Sequence, residues 1–133
     1  MRSRRSERRS RYLIDTSALY PMLLKGTVVD PTRFVVSRLT EFEIGNVIWK
    51  EHQKGNITNP ERVAELFYDA IGELRRLDID LMPRVLLLAV DRKLTFYDAS
   101  YAYLAEREHL VLVTQDEDLR RKTKNAIGVG ELE

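Results

Sequence analysis

The 133-residue chain contains no cysteine and only two histidines, His52 and His109. The first absence excludes disulfides, thiolate nucleophiles and cysteine-based metal sites. Neither histidine falls among the acidic motifs described below: His52 reads as near a helix end and His109 as in the turn before a strand, both surface positions. No apolar run approaches the roughly 18 residues of a membrane span. The basic N-terminus is not followed by a hydrophobic stretch, so the sequence predicts no secretory signal, and a cytoplasmic location is the expectation that remains. Repeats and low-complexity linkers are missing too. The length fits one domain, and 44% hydrophobic with 32% charged residues is the balance of a globular protein with a real core.

Net charge is nearly absent, at +1, but it is unevenly spread. Residues 1–11 carry Arg2, Arg4, Arg5, Arg8, Arg9 and Arg11 against Glu7. An arm at +5 leaves the body, residues 12–133, at −4. Arginines neutralise phosphates, so the arm reads either as a nucleic-acid contact or as an unordered tail.

Short apolar runs alternate with helical patterns along the body. Tyr12-Leu-Ile14 is a buried strand, Asp15 caps the helix that follows, and Phe34-Val-Val36 is a second strand. A helix runs from about Leu39 to Lys54 and stops at Gly55-Asn56. Pro60-Glu61 opens another, to about Leu77, with Val63, Leu66, Phe67, Ile71 and Leu74 as its core stripe. Ile79-Asp-Leu-Met82 reads as a strand, Pro83 as a helix start, and Asp98 as the opening of a further helix. Leu110-Val-Leu-Val113 is the most clearly buried strand, and Ala126-Ile-Gly-Val129 a last edge strand. This alternation predicts an α/β fold with a doubly wound parallel sheet.

In such sheets ligands bind outside the C-terminal ends of the strands. Asp15, Asp98 and Asp116 fall just after strands or at helix starts on that rim, with Asp118 as a spare. Each alone also reads as a plain helix cap. Glu43 differs, because it lies inside a helix and shares a face with Leu39, Asn46 and Val47. A glutamate among core residues needs a cation or a proton. A salt bridge to Arg38, Arg84 or Arg92 is its bland explanation, while Glu41 reads as a solvated charge. Several carboxylates close together repel, and a divalent cation resolves the repulsion. Oxygen ligands without cysteine suit Mg²⁺ or Mn²⁺. Such an ion activates water and neutralises a phosphate, so no side-chain nucleophile is needed.

Tyr12-Leu-Ile-Asp15-Thr-Ser-Ala-Leu19, Leu39-Thr-Glu-Phe-Glu43-Ile-Gly-Asn46, Tyr97-Asp98-Ala-Ser-Tyr101-Ala-Tyr-Leu-Ala105 and Leu112-Val-Thr114-Gln-Asp116-Glu-Asp-Leu119 occur in that order. Together they resemble the PIN-domain ribonucleases, in particular the VapC-type toxins of prokaryotic toxin–antitoxin pairs. The resemblance implies a three-layer fold with a central parallel sheet flanked by helices. It implies Mg²⁺- or Mn²⁺-dependent endonucleolytic cleavage of RNA by Asp15, Glu43, Asp98 and Asp116, with Asp118 as an outer metal ligand. Thr16, Asn46 and Thr114 would support these acids, and a homodimer held in check by a small antitoxin is the implied assembly. Arg120, Arg121, Lys122 and Lys124 are either phosphate contacts or a solvated helix face, and Tyr97, Tyr101 and Tyr103 either stack on bases or line the pocket. A housekeeping RNA-processing nuclease, a DNA nuclease, a silent PIN-like module and a receiver-type binding module are the alternatives.

Overall fold

The computed structural model describes residues 10–132. Most of the arginine-rich arm lies outside the described residues. Five strands, β1 (Tyr12–Ile14), β2 (Phe34–Ser37), β3 (Arg75–Leu77), β4 (Val111–Val113) and β5 (Ala126–Ile127), form one sheet in the order β3-β2-β1-β4-β5. Every pairing is parallel. Among the described residues six α-helices connect them: α1 (Thr16–Leu24), α2 (Thr40–Gln53), α3 (Pro60–Gly72), α4 (Met82–Arg92), α5 (Phe96–Arg107) and α6 (Glu117–Arg121). A 3-10 turn, Val129–Glu131, follows β5.

The three-layer architecture follows from the period-two alternation of strand side chains. Tyr12, Ile14, Phe34, Val36 and Val113 face one way, into a core with Leu19 of α1, Ile44 and Ile48 of α2, and Phe67 and Ile71 of α3. Leu13, Val35, Leu77 and Leu112 face the other way, against Tyr101, Leu104 and Ala105 of α5 and Leu119 of α6. The central strand β1 is buried at all three positions, as a strand covered on both faces must be. Ala99, Ser100, Ala102 and Ala105 are all buried, and their small side chains let α5 sit close to the sheet.

The chain builds outward from β1 to β2 and β3, then returns to the other side of β1 for β4 and β5. The reversal lies between β1 and β4, where Ile14 pairs with Val113. Crevices at such reversals are where doubly wound sheets bind ligands. The residues immediately beyond this pair are Asp15 and Thr114.

Several expectations about local structure need correction. The third strand is Arg75–Leu77, not Ile79–Met82, and α3 ends at Gly72 rather than near Leu77. An edge strand has only one neighbour, so two arginines are tolerated there; Arg76 also reaches Glu41 in an ion pair, so Glu41 is not simply solvated. Within the α3 stripe Leu66 is half exposed, while Leu74 is buried beyond the helix end. Asp98 does not open α5: Thr95 is the cap, its Oγ1 accepting from the Asp98 N–H at 3.1 Å. The last edge strand is shorter than expected, two residues followed by the 3-10 turn.

Candidate active site

Asp15 closes β1 and caps α1. Its N–H donates to Val113 O at 3.0 Å, its Oδ1 accepts from Ala18 N at 3.1 Å and Ser17 Oγ at 2.7 Å, and its Oδ2 accepts from Thr114 Oγ1 at 2.5 Å. The same hydroxyls stitch the neighbouring turn into place. Asp116 N donates to Thr114 Oγ1 at 3.1 Å, and Gln115 N donates to Ser17 Oγ at 2.9 Å. The turns after β1 and β4 are thus one hydrogen-bonded unit. All of these partners are neutral, so they satisfy the carboxylate without cancelling its charge. Burial raises the Asp15 carboxyl to about 6 against the pull of those hydrogen bonds, and the charge of Glu43 adds to the rise.

Glu43 lies on the first turn of α2, where the unpaired N–H groups of the helix favour a negative charge. Its Oε1 accepts from Thr16 Oγ1 at 2.8 Å and from Tyr101 Oη at 2.5 Å. The phenol oxygen of Tyr101 also lies 3.1 Å from Thr40 Oγ1 and 3.5 Å from Thr16 Oγ1. Burial, then the charge of Glu43 beside it, holds the Tyr101 phenol far above its ordinary pKa, so it stays a donor. Two of the three cationic partners foreseen for Glu43 are spent elsewhere, Arg38 on Asp78 and Arg92 on Glu106, and the third, Arg84, makes no ion pair with it. Among the described residues no lysine or arginine pairs with Asp15, Glu43, Asp98 or Asp116.

Asp98 sits half-buried on the first turn of α5. Its carboxyl is raised by burial and by the charges of Asp116, Glu43 and Asp118, in that order of weight, which ties the acids into one electrostatic neighbourhood. Asp116 caps α6, its Oδ1 accepting from Leu119 N at 3.0 Å. Asp118 is exposed and paired with Arg121 Nη2 at 2.5 Å and Lys122 Nζ at 3.0 Å. Two of the basic side chains considered for phosphate contacts are therefore already engaged. Asn46 is exposed on α2. His52 hydrogen-bonds Ile57 O at 2.8 Å, and His109 occupies the turn before β4 with φ of 57°.

Ser17 and Thr40 of this cluster have no site role in the sequence reading, and Tyr101 enters it only as a base stack or pocket wall, not as the donor to Glu43 that it is. Ser17 had a visible signal, two residues after an aspartate that ends a strand, where its hydroxyl can bond back to the carboxylate. The Tyr101 hydroxyl had none, since only the fold carries α5 to Glu43 from the other face of the sheet, where the phenol also meets Thr40 of α2.

The donor set of Asp15, Glu43, Asp98 and Asp116 is all oxygen, negatively charged and, among the described residues, without cationic partners, which is the chemistry of a hard divalent cation. Among the described residues, however, no three acids stand close enough to form a ready cage. This looser arrangement fits an ion that keeps several of its water ligands, as Mg²⁺ does, better than one gripped wholly by protein.

Known proteins match this chain along nearly its whole length. Exonuclease VapC9 of Pyrobaculum aerophilum is 41% identical over 120 residues, covering 89% of this chain and 90% of its own. The crystal structure of PAE2754 from Pyrobaculum aerophilum superposes with a TM-score of 0.82 at 39% identity, over 90% of this chain and 84% of that one. A toxin–antitoxin complex from Klebsiella pneumoniae shares the fold, with a TM-score of 0.63 at 18% identity over 87% and 95% of the two chains. This chain is a homologue of the VapC-type nucleases. The profile described as PIN domain matches residues 12–125, which include all four acidic motifs, and the chain belongs to the PIN domain family.

Proposed function

We propose that this protein hydrolyses phosphodiester bonds of single-stranded RNA with the help of Mg²⁺ or Mn²⁺. Asp15, Glu43, Asp98 and Asp116 hold the metal, and Asp118 serves as an outer ligand. The observation that carries this reading is the gathering of carboxylates without cationic partners at the β1/β4 reversal, two of them with raised pKa values. A bound divalent ion supplies charge neutralisation at the scissile phosphate and a more acidic water. The chain itself supplies placement. Ser17 and Thr114 fix both oxygens of Asp15, and Thr16 and Tyr101 fix Oε1 of Glu43, which leaves Oε2 without a protein partner among the described residues. Water serves as the nucleophile, since the chain has no cysteine and the hydroxyls beside the acids are spent as donors to them.

We further propose that the protein is the toxin of a two-gene pair, acts in the cytoplasm, and is held inactive by a small antitoxin. The named relative VapC9 supports this over a housekeeping processing nuclease. Among the described residues no helix is long and apolar enough to cross a membrane. Exposed Met82, Leu86, Leu87 and Val90 on α4 support self-association into a homodimer, since apolar patches of this kind mark interfaces.

Whether the cut is internal or terminal is decided by substrate form. The sequence motifs suggest an endonuclease, whereas VapC9 is named an exonuclease. Labelled linear and circularised single-stranded RNA of the same sequence, incubated with Mn²⁺ or with a chelator, separates the two. Cleavage of both forms with metal only is the expected result. Shortening of the linear form alone establishes exonuclease action, and cleavage in chelator removes the metal from the proposal.

A further inference from the structure

The binding rim carries a second hollow beside the acids. It opens past the C-terminal ends of β2 and β3 and has a volume of about 130 Å³. A closed cavity of about 150 Å³ holds one benzene ring, so this smaller hollow, which is open to solvent on one side, takes the face or edge of a planar ring rather than enclosing it. Phe96, Tyr97 and Leu39 give it apolar and aromatic walls. Tyr97 is 60% exposed, so its ring is not committed to the core.

The polar groups of the hollow have donors to spare. Ser37 is buried, and its Oγ accepts from Leu39 N at 3.1 Å, while its own O–H has no acceptor among the described residues. Arg38 spends Nε on the two Asp78 oxygens, at 2.9 and 2.8 Å. Its Nη groups have no partner among the described residues. Aromatic walls with hydrogen-bond donors at the edge match a nucleobase, which presents π-faces and ring acceptors.

Its position ties the hollow to the acids. Tyr97 immediately precedes Asp98 on α5. Leu39 lies one helical turn before Glu43, whose N–H donates to Leu39 O at 3.1 Å. Strands β2 and β1 are neighbours in the sheet, so the hollow lies only one or two strand spacings from the β1/β4 crevice, roughly 5–10 Å.

We propose that this hollow takes the base of the nucleotide next to the scissile phosphate, stacked on Tyr97, with Ser37 and Arg38 donating to its edge. The proposal rests on the nuclease reading above and adds a source of sequence preference to it. Short single-stranded RNAs, each with one abasic nucleotide at a successive position, test it. Their binding is measured by fluorescence anisotropy on the Asp15→Asn chain with Mn²⁺, and the cut bond is mapped with the unsubstituted protein. Removing the base at one position beside the cut weakens binding by about 10-fold or more, the range of a lost aromatic stack. Adding Tyr97→Ala weakens binding of intact RNA by a similar factor and abolishes that positional penalty, whereas Tyr97→Phe keeps it. A thermal melt of each variant checks folding. Binding of RNA with no positional penalty, or a penalty that survives Tyr97→Ala, overturns the base pocket alone. No binding of any RNA by this chain, together with no cleavage of any RNA by the unsubstituted protein, overturns the pocket and the nuclease reading together. Binding of a protein partner that Tyr97→Ala disrupts while the RNA profile is unchanged assigns the hollow to that partner instead.

Discussion

At the β1/β4 rim, Asp15 and Glu43 are bonded by hydroxyls and a backbone N–H: Ser17, Thr114 and Ala18 around the first, Thr16 and Tyr101 around the second. Around α4 and α5 the company is cationic. Glu106 takes both Nη groups of Arg92, at 2.6 and 2.9 Å, and Asp80 takes Arg107 Nη1 at 2.7 Å. The pKa directions differ too, and burial is the largest cause of the rises. Asp15 and Asp98 are raised. Glu106 is lowered, because the hydrogen bonds from Arg92 and the Lys124 N–H outweigh its burial. Asp80 is lowered by the Tyr103 hydroxyl first and then by Arg107. A hydroxyl satisfies a carboxylate's geometry and leaves its charge standing, whereas a guanidinium satisfies both. The first group is therefore left with charge that no protein cation answers, and the second already has its own.

The strongest way to break this division is to neutralise one member of each group. Asp15→Asn or Glu43→Gln should lower metal-dependent RNA cleavage by at least ~100-fold in an initial-rate assay. Glu106→Gln should leave turnover unchanged and cost only stability, seen in the melting temperature. A folded Glu106→Gln protein without activity would show that the ion-paired group also serves catalysis.

A smaller effect sharpens the contrast through pH. In metal-free buffer the folded state holds a proton on Asp15 up to about pH 6, while the unfolded chain releases it near the ordinary value of 3.8. Between those two values the native state binds more protons, so stability falls as pH rises through that window. The loss is about 2–3 kcal/mol by pH 7. Urea titrations from pH 3.5 to 7 should show this fall, and Asp15→Asn should flatten it. Saturating Mn²⁺ should cancel the fall as well, because binding to the native state alone favours the ionised carboxylates. Glu106 contributes the opposite slope: its lowered pKa gives stability that is present above its ordinary value and disappears as the group is protonated in acid.

The smallest change removes one oxygen. Tyr101→Phe deletes the donor to Glu43 Oε1 and leaves the buried ring in place. About 1 kcal/mol of positioning is at stake, so Mn²⁺ affinity by calorimetry should drop by about 5-fold. The drop should vanish when Glu43→Gln is already present, as expected for groups that act through one another. Additive losses in the double variant would mean that Tyr101 supports the site by some route other than Glu43.

Much of the molecule was legible in the chain. Tyr12-Leu-Ile14 and Leu112-Val113 declare themselves as central strands because burial on both faces demands unbroken apolar residues, and α2 lies within a residue of its expected span. Strand β3 did not, because Arg75 and Arg76 at an edge need neither alternation nor hydrophobicity. Asp98 looked like a cap because aspartate is as good a cap as threonine; only the backbone shows that Thr95 holds that place.

The amino-acid order by itself determined the α/β class and the central strands through local periodicity, and the family and its acids through short motifs. Tertiary structure alone decided the company those acids keep. Thr114 reaches Asp15 across 99 positions and Tyr101 reaches Glu43 across 58, while Arg38 and Arg92, two of the cations the sequence offers to Glu43, are turned to Asp78 and Glu106. The fate of a carboxylate's charge depends on what stands within a few ångströms of it, and the fold, not adjacency along the chain, sets those distances.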